Sequence, residues 1–144
     1  MKTVVTRVKN ASVKVDNKTI SEIKNGLLVL VGFTELDNEE KIDYMVKKIT
    51  NLRIFDDEKG IMNKSVKDVE GEILSVSQFT LYGDTKEGNR PSYIKALNGE
   101  QATVLYDLFN KKLNEIIKTK TGIFGAEMEV ESINDGPVTI IIEK

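Results

Sequence analysis

Side chains alternate in the β manner over Thr3–Val8 and again over Ala11–Val15, which predicts strands with one face turned to a core. Asp16-Asn17-Lys18 reads as a tight hairpin turn, after which Ile20–Ile23 pairs back. Gly26-Leu-Leu-Val-Leu-Val-Gly-Phe33 does not alternate. It is a continuous apolar run short enough for a buried strand, with its two glycines bracketing it. The period then changes: Ile42, Met45, Val46 and Ile49 follow at helical spacing, and Asp37 with Glu40 makes a capping-box-like start, so a helix is expected over 38–51. Arg53-Ile-Phe55 is a candidate short strand. Asp56-Asp-Glu-Lys-Gly60 is a polar turn whose charges are most simply solvated, because it lacks the spaced ligands of a calcium loop.

In the second half, Glu72-Ile-Leu-Ser-Val-Ser-Gln-Phe-Thr-Leu-Tyr-Gly-Asp84 begins as a core strand on Ile73, Leu74 and Val76 and stops at Gly83-Asp84. Read as one strand, it puts Ser75, Ser77, Phe79 and Leu81 on one face and Leu74, Val76, Gln78, Thr80 and Tyr82 on the other. Asn98 with Gln101 caps a second helix. Val104, Leu105, Leu108, Phe109, Leu113, Ile116 and Ile117 give it an apolar stripe to about Thr119. The chain closes on an expected hairpin, with strands Met128–Ile133 and Val138–Ile142, turn Asn134-Asp135-Gly136, and Pro137 at a strand's first position. At 144 residues the chain fits a single domain, 1–144, long enough to bury one sizeable core.

Composition narrows the chemistry. The 144 residues are 40% hydrophobic and 31% charged, as in globular chains, and no apolar run approaches the length of a membrane span. The N-terminal stretch lacks a signal-peptide core, so the expected compartment is the cytoplasm. Cysteine and histidine are both absent. Disulfides, thiolate metal sites, cysteine nucleophiles, Ser-His-Asp triads and histidine-bearing zinc sites are therefore excluded. The net charge of −2 gives no general support for nucleic-acid binding, so an RNA ligand would need a local basic patch.

Ser77, Gln78 and Thr80 stand where a core strand should be apolar. A hydroxyl or amide taken out of water without a partner costs roughly 1–3 kcal/mol. They imply either local hydrogen bonds, as in an ordinary strand, or a polar ligand. Thr85–Tyr93 is a loop by composition, and Lys86, Arg90 and Lys95 make it the most basic stretch near that candidate site. Lys111, Lys112, Lys118 and Lys120 crowd the last turns of the second helix, where the helix dipole accounts for them.

Ser77-Gln-Phe-Thr-Leu81 resembles the SQFTL signature of the D-aminoacyl-tRNA deacylases, and Asn134-Asp-Gly-Pro-Val-Thr139 is similar to the second, Gly-cis-Pro signature of the same family. Gly88-Asn-Arg-Pro-Ser-Tyr93, Phe124-Gly-Ala-Glu-Met128, Arg7-Val8 and Ala11-Ser-Val13 also match the family pattern, nearly end to end. One departure is Thr6, where a glutamine is usual, which bears on how Arg7 is held.

The resemblance implies an α+β fold, a barrel-like mixed and antiparallel sheet with two main amphipathic helices, forming a homodimer with the active site at the subunit boundary. It implies hydrolysis of the ester of D-aminoacyl-tRNA without cofactor or metal, with Ser77, Gln78, Phe79 and Thr80 as the catalytic group. Gly136 and Pro137 would test chirality in the partner's site. Arg7, Phe124, Met128, Lys86 and Arg90 are the expected substrate or tRNA contacts. An aminoacyl ester is already activated, so oriented water, main-chain N–H groups near Phe79 and Thr80 and the substrate's own 2′-OH suffice in principle. Thr80 is the rival nucleophile, although no obvious base stands beside it. Two other readings remain: a non-catalytic dimeric RNA- or protein-binding β-domain, and a different acyl-ester hydrolase. The first would call for serial stacking aromatics or a basic stripe, against 6% aromatics here.

Overall fold

The computed structural model describes residues 1–144. The longest strands, β1 (Lys2–Val15) and β8 (Glu129–Glu143), pair antiparallel along most of their length. On its other side β1 pairs with β3 (Gly26–Gly32) through its first half and with β2 (Lys18–Ile23) through its second. The β1–β2 turn carries Asp16 and Asn17 at φ 49° and 61°, the left-handed pair that a tight hairpin of right-twisted strands needs. A 12-residue helix, α1 (Glu39–Thr50), leads to the small pair β4 (Phe55–Asp56) and β5 (Met62–Lys64). From there the chain returns as β6 (Glu72–Ser77), parallel to β3. After α2 (Gly99–Asn114), β7 (Thr119–Thr121) runs parallel to β6.

The sheet order is β2-β1-β3-β6-β7, and twist brings its two ends together. The Ser21 hydroxyl donates to the Thr121 carbonyl at 2.6 Å, and the Lys120 ammonium reaches the Glu22 carbonyl at 2.6 Å. The result is a nearly closed, barrel-like mixed sheet with both helices on its outside. Inside the curl, Val8, Ala11, Val13, Ile23, Leu28, Leu74 and Val76 form one apolar cluster. A larger one, including Val5, Leu27, Val29, Ile73, Met45, Ile49, Phe109 and Leu113, fills the layer between sheet and helices. Gly26 marks the closest approach of β3 to β6: a Cβ there would lie 1.9 Å from the Glu72 carbonyl oxygen.

Several local expectations are corrected. The N-cap of α1 is Asn38, whose side chain accepts from the Lys41 N–H at 3.1 Å. Asp37 accepts from the Met1 ammonium (2.6 Å) and the Thr34 N–H (2.9 Å). Next, α2 stops at Asn114, whose side-chain oxygen takes the Thr119 N–H, and the residues expected as its last turns turn into β7. Val104 and Ile116, placed on its stripe, are 66% and 48% exposed.

The central strand ends at Ser77, and Phe79–Tyr82 is a 3₁₀ turn, so the two-faced alternation does not continue past it. The closing hairpin is one strand, β8. Both expected arms pair with β1, and Asn134–Pro137 sits where the β1–β8 register shifts on either side of Val8. The turn residues there make an irregularity and not a reversal, because a 14-residue β1 offers both arms a continuous partner.

Candidate active site

The parallel pair β3–β6 ends at a cavity of about 460 Å³. Ser77, Gln78 and Phe79 line one side, at the point where β6 gives way to the 3₁₀ turn, and Val31, Gly32 and Phe33 line it from β3. Leu97, Gly99 and Ala102 add the start of α2, while Phe124, Gly125, Ala126, Met128 and Val130 close it from the segment entering β8. The Phe124 ring rests at 5.7 Å from that of Tyr106, whose hydroxyl donates to the Ser75 carbonyl at 2.8 Å.

The turn at Phe79 is pinned to the sheet, since the Gln78 N–H donates to the Val31 carbonyl at 2.7 Å and the Leu81 N–H to the Gln78 carbonyl at 3.2 Å. Gly32 lets β3 pass close beneath it. A Cβ there would stand 2.9 Å from the Gln78 carbonyl oxygen. The N–H groups of Phe79 and Thr80 begin the 3₁₀ turn and have no acceptor inside it. No side chain lining the cavity is ionisable, so this chain offers no general base there.

Ser77, Gln78, Phe79, Phe124 and Met128 are thus brought together. Thr80 is not among the lining residues: it is exposed, and its hydroxyl is hydrogen-bonded by the Gln78 amide. Lys86 and Arg90 lie on the exposed loop that the Asp84–Ser92 bridge closes.

Arg7, Gly136 and Pro137 form a second group. Arg7, with 8% of its side chain exposed, donates to the Ile54 carbonyl at 2.7 Å and the Asp135 carbonyl at 3.2 Å. Its guanidinium also stands 3.2 Å from the Asp135 carboxylate and 3.5 Å from that of Asp56. Gly136 has φ 117°, which L side chains rarely adopt, and a Cβ there would lie 2.8 Å from Val138 Cγ2 and 3.1 Å from Arg7 Nη2. The Gly136–Pro137 bond is cis. Both residues are exposed, and neither lines the cavity of its own chain.

Sequence reasoning missed the walls from β3 and α2. In the sequence Gly32 reads only as a bracket of an apolar run, and the Gly99 and Ala102 positions carry no polar signal.

A family model described as D-Tyr-tRNA(Tyr) deacylase matches residues 4–143. Among solved structures, the chain is similar to one titled c-Myc DNA Unwinding Element Binding Protein, at 45% identity and TM-score 0.95, covering 100% of this chain and 99% of that one. It is also similar in fold to one titled as a probable eukaryotic D-amino acid tRNA deacylase, at 18% identity and TM-score 0.83, covering 98% and 97%. With the family model spanning nearly the whole chain, this protein belongs to the D-Tyr-tRNA(Tyr) deacylase family, hydrolases that act on D-aminoacyl-tRNA.

Proposed function

We propose that the cavity at the end of β3 and β6 receives the aminoacylated terminal adenosine, and that the exposed Gly136–Pro137 segment of a second copy completes it. The observation that carries this reading is the separation of the two signatures. Ser77–Phe79 line the cavity, whereas Gly136 and Pro137 stand outside it, exposed and held from behind by Arg7. A segment so placed can act on a cavity in trans. The free outer edge of β8, which pairs only with β1 and exposes Ile133 (55%) and Ile141 (69%), offers a second copy a place to pack.

In this arrangement the adenine lies between Phe124 and Met128, and the ester carbonyl points at the N–H groups of Phe79 and Thr80. Those donors stabilise the oxyanion as water adds, and the ribose 2′-OH shuttles the proton that no cavity side chain is placed to take. The carbonyls of the partner's Gly136 and Pro137 accept from the α-ammonium. Their backbone fills the side on which an L side chain would project, so D-aminoacyl and glycyl esters fit and L esters do not. The direct test is ester loss from D-tyrosyl-tRNA and L-tyrosyl-tRNA incubated with the protein. Selective loss from the D form supports the reading, and equal or absent loss rejects it.

Main-chain catalysis also predicts kinetics without an enzyme base. Thr80→Ala should keep a substantial part of wild-type kcat, and kcat should show no bell-shaped dependence between about pH 5 and 9 beyond that of the substrate's own groups. A Thr80→Ala protein that binds tRNA normally but turns over at the uncatalysed rate would make the threonine a nucleophile instead.

A further inference from the structure

The wall of the cavity continues outward. Phe79, which lines it, is 58% exposed and meets the 39% exposed Tyr93 edge-on, their ring centroids 5.1 Å apart. The two rings come from different segments held in register. Asp84 and Ser92 exchange backbone hydrogen bonds of 2.9 Å across the base of the loop, and Tyr93 packs on Gly83, where a Cβ would lie 3.0 Å from its Cε1. The neighbouring Ile94 is 90% exposed.

The loop that joins the two rings along the chain, closed by the Asp84–Ser92 bridge, carries Lys86 and Arg90. Lys95 pairs with Asp84 at 3.1 Å, while Lys86 and Arg90 form no ion pair. Exposed rings of fixed geometry, with unpaired cations on the loop between them, have the make-up of a single-strand nucleic-acid surface, where bases stack and phosphates are neutralised. Continuity with the cavity favours this occupant over a second copy of the chain, because a strand whose end sits in the cavity runs out past Phe79, which both lines it and meets Tyr93.

Building on the deacylase reading, we propose that the Phe79–Tyr93 pair is the stacking platform for the unpaired nucleotides immediately preceding the aminoacylated one, with Lys86 and Arg90 contacting their phosphates. A strand leaving the cavity past Phe79 meets Tyr93 next. Tyr93 is thereby a binding residue for the RNA and takes no part in ester cleavage.

Comparing two substrates tests this: D-tyrosyl-tRNA, and the D-tyrosyl ester of adenosine, which lacks every preceding nucleotide. For Tyr93→Ala, the ratio of kcat/KM on tRNA to that on the nucleoside ester should fall on the order of tenfold, chiefly through KM on tRNA. Tyr93→Phe, which keeps the ring, should restore the ratio. Arg90→Gln should lower the slope of log Kd for tRNA against log salt by about 0.7 for its one phosphate. Equal losses on both substrates would overturn the inference by making Tyr93 a support of the cavity. So would a Tyr93→Ala protein with half the wild-type sedimenting mass, which would assign the patch to a second copy. Wild-type protein inert on both esters would reject the deacylase reading, and this inference with it.

Discussion

Arg7→Met should abolish most of the activity and lower the melting temperature together. The guanidinium is buried and serves two carbonyls, Ile54 and Asp135, that methionine cannot reach with a donor. Stranding a buried acceptor, as at Ile54, costs roughly 1–3 kcal/mol, and the part-buried Asp135 carbonyl adds less. The Asp135 and Asp56 carboxylates are partly exposed and regain water, so they add little. A net loss of about 3 kcal/mol corresponds to a melting temperature lower by roughly 6–12 °C in a chain of this size. The kinetic effect is expected to be larger. Arg7 holds the segment carrying Gly136, and a displacement near 1 Å at a positioning group can cost about 100-fold in rate. Arg7→Lys should recover little, because one ammonium cannot reproduce the fork. Calorimetry and single-turnover deacylation below the variant's melting range measure the two effects separately. Wild-type values for both would show that the Asp135–Gly136 segment is held by other contacts.

Glycyl-tRNA should be cleaved nearly as well as D-alanyl-tRNA, with L-alanyl-tRNA far below both. If the site excludes an L side chain and does not grip a D one, an amino acid without a side chain presents nothing to exclude. Its ammonium and ester keep the same proposed partners, the Gly136 and Pro137 carbonyls and the Phe79–Thr80 N–H groups. The loss of a methyl-sized contact is worth about 1 kcal/mol, less than a factor of ten in rate, whereas overlap with backbone costs far more. Deacylation of the three esters on one tRNA checks the order. Glycyl-tRNA as resistant as L-alanyl-tRNA would mean that the D side chain is recognised positively.

Much of this architecture is legible where local and tertiary forces agree. Ile42, Met45, Val46 and Ile49 repeat at helical spacing because they are buried against the sheet, and the Asp16-Asn17 turn is readable because few residues tolerate its left-handed backbone. Misreadings fall where a distant partner decides. Asn134-Asp-Gly looks locally like a reversal, yet β1 is long enough to pair with both arms of β8. Asp37 has the spacing of a cap, but the Met1 ammonium and the Thr34 N–H take its two oxygens.

The site divides in the same way. Ser77 and Gln78 betray themselves by polarity at the end of an apolar strand, and Phe124 and Met128 came from the family pattern and meet them in the cavity. Gly32 and Ala102 give no such sign, because their contribution is the absence of bulk. Tyr93 reads as one aromatic in a loop until the Asp84–Ser92 bridge sets it against Phe79.

The central claim is that the Gly136–Pro137 segment of one copy completes the cavity of another, and subunit complementation tests it most directly. Two variants are needed, each inactive alone. Ala126→Trp fills the cavity, and Gly136→Ala forces a side chain into a left-handed backbone position that also crowds Val138 and Arg7. When the two are unfolded and refolded together, a site working in trans pairs the intact cavity of one protein with the intact segment of the other. D-tyrosyl-tRNA hydrolysis should then return to roughly a quarter of wild type, since half of randomly assorted dimers are mixed and each has one whole site. A mixture as inactive as its components, with mixed dimers present, would contradict a cavity completed by the partner.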